Sequence, residues 1–230
     1  MKSPANRVRQ RQRIGFIAGL AGGAAALAAL LAPSQERWHV RGPMNTGHEA
    51  LRCESCHKSA PRSLRQQVQA SVRYWVGLRK TLDDFGYLGV TNDICLGCHD
   101  RPNDRHTVFR FCEPRFAEAR AKLQPQLCVS CHLEHRGRRV TLSMTTYCEV
   151  CHRETKLRKD PLDISHANLI ALNQWESCLG CHDFHGNHIM KVRKVVAEGL
   201  PTAEIRNYFA GAPSPYAKTK RYKAKKEAKS

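Results

Sequence analysis

One five-residue pattern, Cys-x-x-Cys-His, occurs five times in this chain: CESCH at 53–57, CLGCH at 95–99, CVSCH at 128–132, CEVCH at 148–152 and CLGCH at 178–182. The spacing carries a specific chemistry. Two thiols separated by two residues reach the two vinyl carbons of one porphyrin, and the histidine that follows lies over one face and reaches the iron. Zinc sites use paired cysteines without an obligatory trailing histidine. Thioredoxin-like redox sites use one such pair beside a strand–helix unit, and disulfide scaffolds do not repeat this tripeptide. The pattern therefore predicts five haem c groups. Their attachment residues are Cys53, Cys56, Cys95, Cys98, Cys128, Cys131, Cys148, Cys151, Cys178 and Cys181, and their first axial ligands are His57, His99, His132, His152 and His182.

Composition agrees with a core built from cofactors. The hydrophobic share is 41%, but much of it lies in one N-terminal block, and the remainder is poor in large aliphatic and aromatic residues. A domain so composed needs another source of core. The expected fold is mainly α with much irregular loop: a compact multihaem domain with a haem-dominated core, spanning 33–212. The motifs are unevenly spaced, and the linkers are too short for separate domains. In the first linker Leu64, Val68, Val72, Trp75, Leu78 and Leu82 follow helical spacing. Residues 62–83 thus read as an amphipathic helix packed on haems, with an interfacial membrane role as the rival reading. LPTAEIRNYFAG reads as a short helix ending near Gly211, and 213–230 as a basic, disordered tail. Cys112 has no partner motif and reads as a buried or inert thiol.

Residues 1–13 carry five cations and no acid, and 14–32 carry no charge. Cations before an apolar run hold the N-terminus inside and send the rest outward, and this run just suffices to span a bilayer. The reading is a transmembrane anchor. A cleaved signal peptide, with ALA at 26–28 as the cleavage site, is the alternative. Both export the remainder to the periplasm, and the anchor reading assigns the protein to the bacterial inner membrane with its haem domain in the periplasm. Gly15, Gly19 and Gly23 form a small-residue ridge that an Ala/Gly-rich helix contains by chance as readily as by design. Net charge is +18, ordinarily a pointer to nucleic acid; export argues against that and favours anionic lipid or acidic redox proteins. Nothing in the sequence sets the oligomeric state.

The second axial ligand decides function, because an open iron binds substrate and a doubly ligated one only transfers electrons. Seven histidines lie outside the motifs. The distal set assigned here is His48, His106, His135, His166 and His185. His188 competes with His185, and His39 beside Trp38 reads as an ordinary residue near the anchor. Met44, Met144 and Met190 are lesser candidates. His135, three residues after His132, stays on the His132 side of that haem, so it suits a neighbouring iron; His185 and His188 stand similarly after His182. The sequence leaves open which distal histidine serves which iron.

CHLEHRG at 131–137 resembles the CxxCHxxHxG pattern of class III, doubled-CxxCH multihaem cytochromes, and CHDFHG at 181–186 is one residue shorter before the glycine. The anchor plus small haem domain is similar to NapC/NrfH-type membrane quinol dehydrogenases, which typically carry four haems, and in outline to the pentahaem subunit of alternative complex III. These resemblances cover about 45–190. They imply an electron carrier rather than an enzyme, with mostly bis-histidine haems passing electrons from a membrane or periplasmic donor to a redox partner. The alternative is a quinol dehydrogenase feeding a periplasmic reductase. Glu49, Lys58, Asp83 and Asp84 lie near the first motif as acid/base groups that a quinol would need.

Overall fold

A chain short of large apolar side chains cannot assemble a continuous hydrophobic core, and the computed structural model reflects this. It describes residues 4–31, 42–82, 86–142, 147–189, 191 and 193–225. Two units separate at Pro43. The first contains one helix, α1 (Pro4–Leu31). The uncharged run was expected to begin the helix at 14, but the arginines and glutamines before it are good helix formers and extend it backward. Within it, Asn6–Ala29 is long and apolar enough to cross a membrane.

The second unit, from Met44, contains eight short helices among the described residues: α2 (Leu64–Trp75), α3 (Asn92–Cys98), α4 (Ala117–Leu123), α5 (Cys128–Cys131), α6 (Tyr147–His152), α7 (His166–Ala171), α8 (Cys178–Cys181) and α9 (Thr202–Ala210). Extended pairing among the described residues is limited to two isolated bridges, Ser59 with Tyr87 and His188 with Lys220. The rest is short 3-10 segments, turns and loop, so the unit is mainly helical with much irregular chain, as the sequence predicts.

The side-chain core among the described residues is small. Leu179, Ile205, Phe209 and Tyr216 are buried, with Val140, Tyr147, Phe184, Leu200 and Tyr208 packed on them. Helix α8 can approach this cluster because residue 180 is glycine: a Cβ there would meet the Leu200 carbonyl oxygen at 2.7 Å. Ile205 is the largest side chain that is fully buried. Ile205→Ala is expected to cost about 2–5 kcal/mol through lost transfer and cavity terms. Calorimetry of the haem-loaded domain should register this as a melting temperature lower by about 5–15 °C.

Three expectations need correction. The helix predicted over 62–83 stops at Trp75, because Val76 leaves helical ψ and Gly77 takes φ 78°. Its buried residues are Gln67 and Ala70, while Leu64, Val68, Val72, Trp75 and Leu78 are exposed in the polypeptide. The tail read as disordered is packed over 213–225. Tyr216 is buried and donates its hydroxyl to the Leu179 carbonyl at 3.0 Å. Ile189 N donates to Thr219 O, Arg221 N to Asn187 O, and Lys225 N to Cys98 O. One aromatic anchor and these main-chain bonds outweigh the polar composition; residues 226–230 lie outside the described chain. Finally, Cys112 is exposed rather than buried, because the apolar neighbour that turns inward is Phe111.

Candidate haem centres

Each Cys-x-x-Cys unit forms one helical turn, which puts both thiols on one side and lets the histidine amide close the turn. His57 N donates to Cys53 O at 2.8 Å, His99 N to Cys95 O at 2.9 Å, His132 N to Cys128 O at 3.0 Å and His182 N to Cys178 O at 2.8 Å. Neighbouring motifs abut. Asn92 of α3 donates from Nδ2 to Gln126 O at 2.7 Å and accepts from Cys128 N at 3.0 Å, clamping α5 to α3. The thiols of Cys95 and Cys128 then hydrogen-bond, raising the Cys95 pKa and lowering that of Cys128. Cys148 and Cys178 form a second such pair, with Cys178 brought down to about 7 by its hydrogen bond from Cys148.

The histidine rings meet in a one-to-one pattern. Ring centroids lie 6.3 Å apart for His57 and His135, 5.9 Å for His99 and His48, 6.1 Å for His132 and His185, 6.2 Å for His152 and His106, and 6.2 Å for His182 and His166. Two imidazoles bound on opposite sides of one metal, each with a metal–nitrogen bond of about 2 Å, put their centroids roughly 6 Å apart. Every motif histidine thus faces a different histidine from outside the motifs, and the donor set fits haem iron. Among the described residues no three of His, Cys, Asp and Glu gather as a small-ion site would require. Burial pulls His99 down to about 4 and also lowers His106, His132 and His182, so these rings stay in the neutral form that binds metal.

Residues 45–153 match the family model described as Cytochrome c3. That match supports a multihaem c-type cytochrome over the matched stretch. The matched stretch holds the first four motifs together with His48, His106 and His135; the fifth motif and the ring pairs through His166 and His185 lie wholly or partly beyond it. No curated protein and no solved structure matches the chain. Electron transfer through haem is the function that this match suggests.

Local structure explains the ring pattern. His135 has φ 61° and Gly137 φ 62°. The left-handed turn at a non-glycine residue costs about 1–2 kcal/mol, and it turns the His135 ring away from His132 toward His57. Buried Asn45 accepts from Arg136 N and Arg138 N and donates from Nδ2 to Leu133 O at 3.0 Å, holding this loop. His132 donates from Nδ1 to Arg139 O at 2.7 Å. Arg139 is itself fixed by Phe209 O, Tyr208 O and Ala212 O and by the Tyr208 ring 4.4 Å away.

His188 is buried at 6% exposure. Its Nδ1 donates to Asp183 at 2.8 Å and its ring stacks on Tyr216 at 5.0 Å. It faces no motif histidine and is part of the core around α8. His39, Met144 and Met190, with Asp83 and Asp84, lie outside the described residues; Met44 lies within them.

Carboxylates behind the distal rings escaped the sequence reading. His48 Nδ1 meets Glu134 Oε1 at 2.5 Å, and this bond raises the His48 pKa. His185 Nδ1 donates to Asp104 Oδ2 at 2.9 Å, while Asp104 Oδ1 accepts from His106 N at 2.8 Å. Burial opposes the Asp104 charge, yet these bonds hold its carboxyl below the usual range. Asp160 accepts from the His166 ring at 3.0 Å and from its backbone N–H at 2.6 Å. The available signal was proximity in sequence: Glu134 adjoins His135, and Asp104 stands two residues before His106.

Proposed function

We propose that this chain is a membrane-anchored, exported electron carrier with five haem c groups, each ligated by two histidines. The observation that carries this reading is the one-to-one facing of five motif and five non-motif histidine rings at 5.9–6.3 Å. The axial pairs are His57 with His135, His99 with His48, His132 with His185, His152 with His106, and His182 with His166. Haem iron supplies one-electron chemistry when bound. The protein's residues supply attachment, axial ligation and spacing. Cys128–Cys131 and His132 hold one group while His135 caps another, and His182 and His185 repeat the arrangement, so two short segments join three of the five sites. The abutting Cys95–Cys128 and Cys148–Cys178 thiols support close approach of further pairs. With both axial positions filled by protein, substrate has no open iron. The N-terminal helix anchors the protein in the bacterial inner membrane, with the haem domain in the periplasm and an acidic redox protein as partner.

A second reading, quinol oxidation by the same chain, draws on α2. That helix follows the first motif directly and leaves Leu64, Val68, Val72, Trp75 and Leu78 exposed, with Arg65, Arg73 and Arg79 interspersed, a pattern suited to an anionic membrane surface. Purified holoprotein in liposomes is expected to show five haems by pyridine haemochrome and only low-spin signals in optical and EPR spectra. A high-spin signal from one haem in the intact protein would refute complete bis-histidine ligation. Reduction by a menaquinol analogue would establish the quinol reading, and reduction only by a soluble protein donor would exclude it.

A further inference from the structure

Every distal histidine has a second ring nitrogen, and the five are treated in two distinct ways. Three face a carboxylate: His48 meets Glu134 at 2.5 Å, His185 meets Asp104 at 2.9 Å, and His166 meets both oxygens of Asp160 at 3.0 Å. The other two do not. His106 Nδ1 is 2.5 Å from the Phe184 carbonyl oxygen, a neutral acceptor, and His135 Nδ1 is buried with no hydrogen-bond partner. Among the described residues no carboxylate is bonded to a motif histidine ring: His57 and His132 face the carbonyls of Leu88 and Arg139, and His152 faces the Thr155 hydroxyl.

We propose that Glu134, Asp104 and Asp160 are tuning residues, which lower the reduction potentials of the three haems capped by His48, His185 and His166. The proposal rests on the axial pairing above. Its physical basis is direct. A carboxylate accepting the Nδ1 proton increases the basicity of the opposite ring nitrogen, which strengthens its bond to the metal. Reduction removes one positive charge from the iron, so a fixed negative charge on the far side of the ligand favours the oxidised state. The effect weakens with solvent screening, and the carboxylate side chains are 9% exposed for Asp104, 15% for Asp160 and 29% for Glu134. Asp104 therefore acts most strongly. It has a second role, because its other oxygen holds the backbone of His106; one carboxylate orients two distal histidines and charges only one of their rings. Arg101 acts in the opposite sense near His99 and His132, so the carboxylate contribution is read from charge removal at each site rather than from the bare order of potentials.

The test is a potentiometric titration of the full haem-loaded protein, monitored optically and by EPR, for wild type, Asp104→Asn, Glu134→Gln, Asp160→Asn and the control Glu118→Gln. Glu118 is exposed and pairs with Lys122 and Arg153 rather than with a histidine ring, so it tests a carboxylate charge near a motif, at Cys151, that is not behind an axial ring. The amides keep an acceptor oxygen and remove the charge. Each of the three variants should retain five low-spin haems and raise the midpoint of one component, with altered EPR g-values for that component. For Asp104→Asn the expected change in the ratio of reduced to oxidised haem at fixed potential is about tenfold, equivalent to about 59 mV for a one-electron couple. Glu118→Gln, which bonds no ring nitrogen, should shift every midpoint by much less than Asp104→Asn. Superposable titrations with all five haems low-spin would overturn the proposal while leaving the axial pairing intact. A wild type with high-spin haem would instead overturn the pairing. Glu134→Gln, on a partly exposed loop, carries the test alone should Asp104→Asn fail to mature.

Discussion

Truncation of His185 to alanine is expected to convert one haem in five to a high-spin form, while His188→Ala leaves all five low-spin. The two residues are three apart in the same loop, and their surroundings separate them. The His185 ring faces His132 at 6.1 Å and is held from behind by Asp104. His188 spends its Nδ1 on Asp183, lies 3.4 Å through Nε2 from Ser214 Oγ, and stacks on Tyr216. Its removal should therefore destabilise the α8 core by about 1–3 kcal/mol, because the Asp183 carboxylate loses the ring bond and keeps, among the described residues, only the backbone N–H of residue 188, without a change in spin state. The Soret band, the high-spin charge-transfer band and EPR read the first effect, and thermal melting reads the second. High-spin haem in His188→Ala with none in His185→Ala would reverse the assignment.

The second large effect is expected at the third motif. The double variant Cys128→Ala/Cys131→Ala removes both covalent bonds of one haem, and intact-protein mass spectrometry should find four haems at most. The loss reaches further than one cofactor. His132 is joined to His135 by a single loop, so two ring pairs depend on one segment, and α5 is clamped to α3 through Asn92. The void left by a porphyrin exceeds that of any side chain, and truncating one large buried side chain already costs about 2–5 kcal/mol. Total domain stabilities are roughly 5–15 kcal/mol, so the four-haem product should be degraded in cells rather than accumulate. Cys112→Ala, at an exposed thiol outside every motif, should yield the full five-haem protein at wild-type levels. A stable, abundant four-haem double variant would show that the third motif does not join its neighbours.

Different features were legible to different degrees. The proposed attachment residues were legible as a pattern, because thioether and iron geometry impose a fixed local spacing. The mainly helical, loop-rich fold followed from a shortage of large apolar residues, and α9 could be read from the short apolar run that ends at Gly211. The extent of α2 was overestimated because its apolar period continues past a backbone break at Gly77 that periodicity ignores. The ordered course of 213–225 was hidden by its lysines. Composition weighs every residue equally, whereas one buried tyrosine and a few main-chain bonds decide whether a tail packs.

The sequence by itself carried the features that are local along the chain: which cysteines and histidines form the attachment pattern, and one N-terminal run long and apolar enough for a membrane. Only the tertiary structure decided which distant rings face one another, that His188 belongs to the protein core, and that Glu134, Asp104 and Asp160 stand behind three distal rings and no others. The physical reason is range. Thioether spacing acts within five residues, while His57 with His135, or His185 with Asp104, meet across roughly eighty residues of intervening chain, at distances that no local rule specifies.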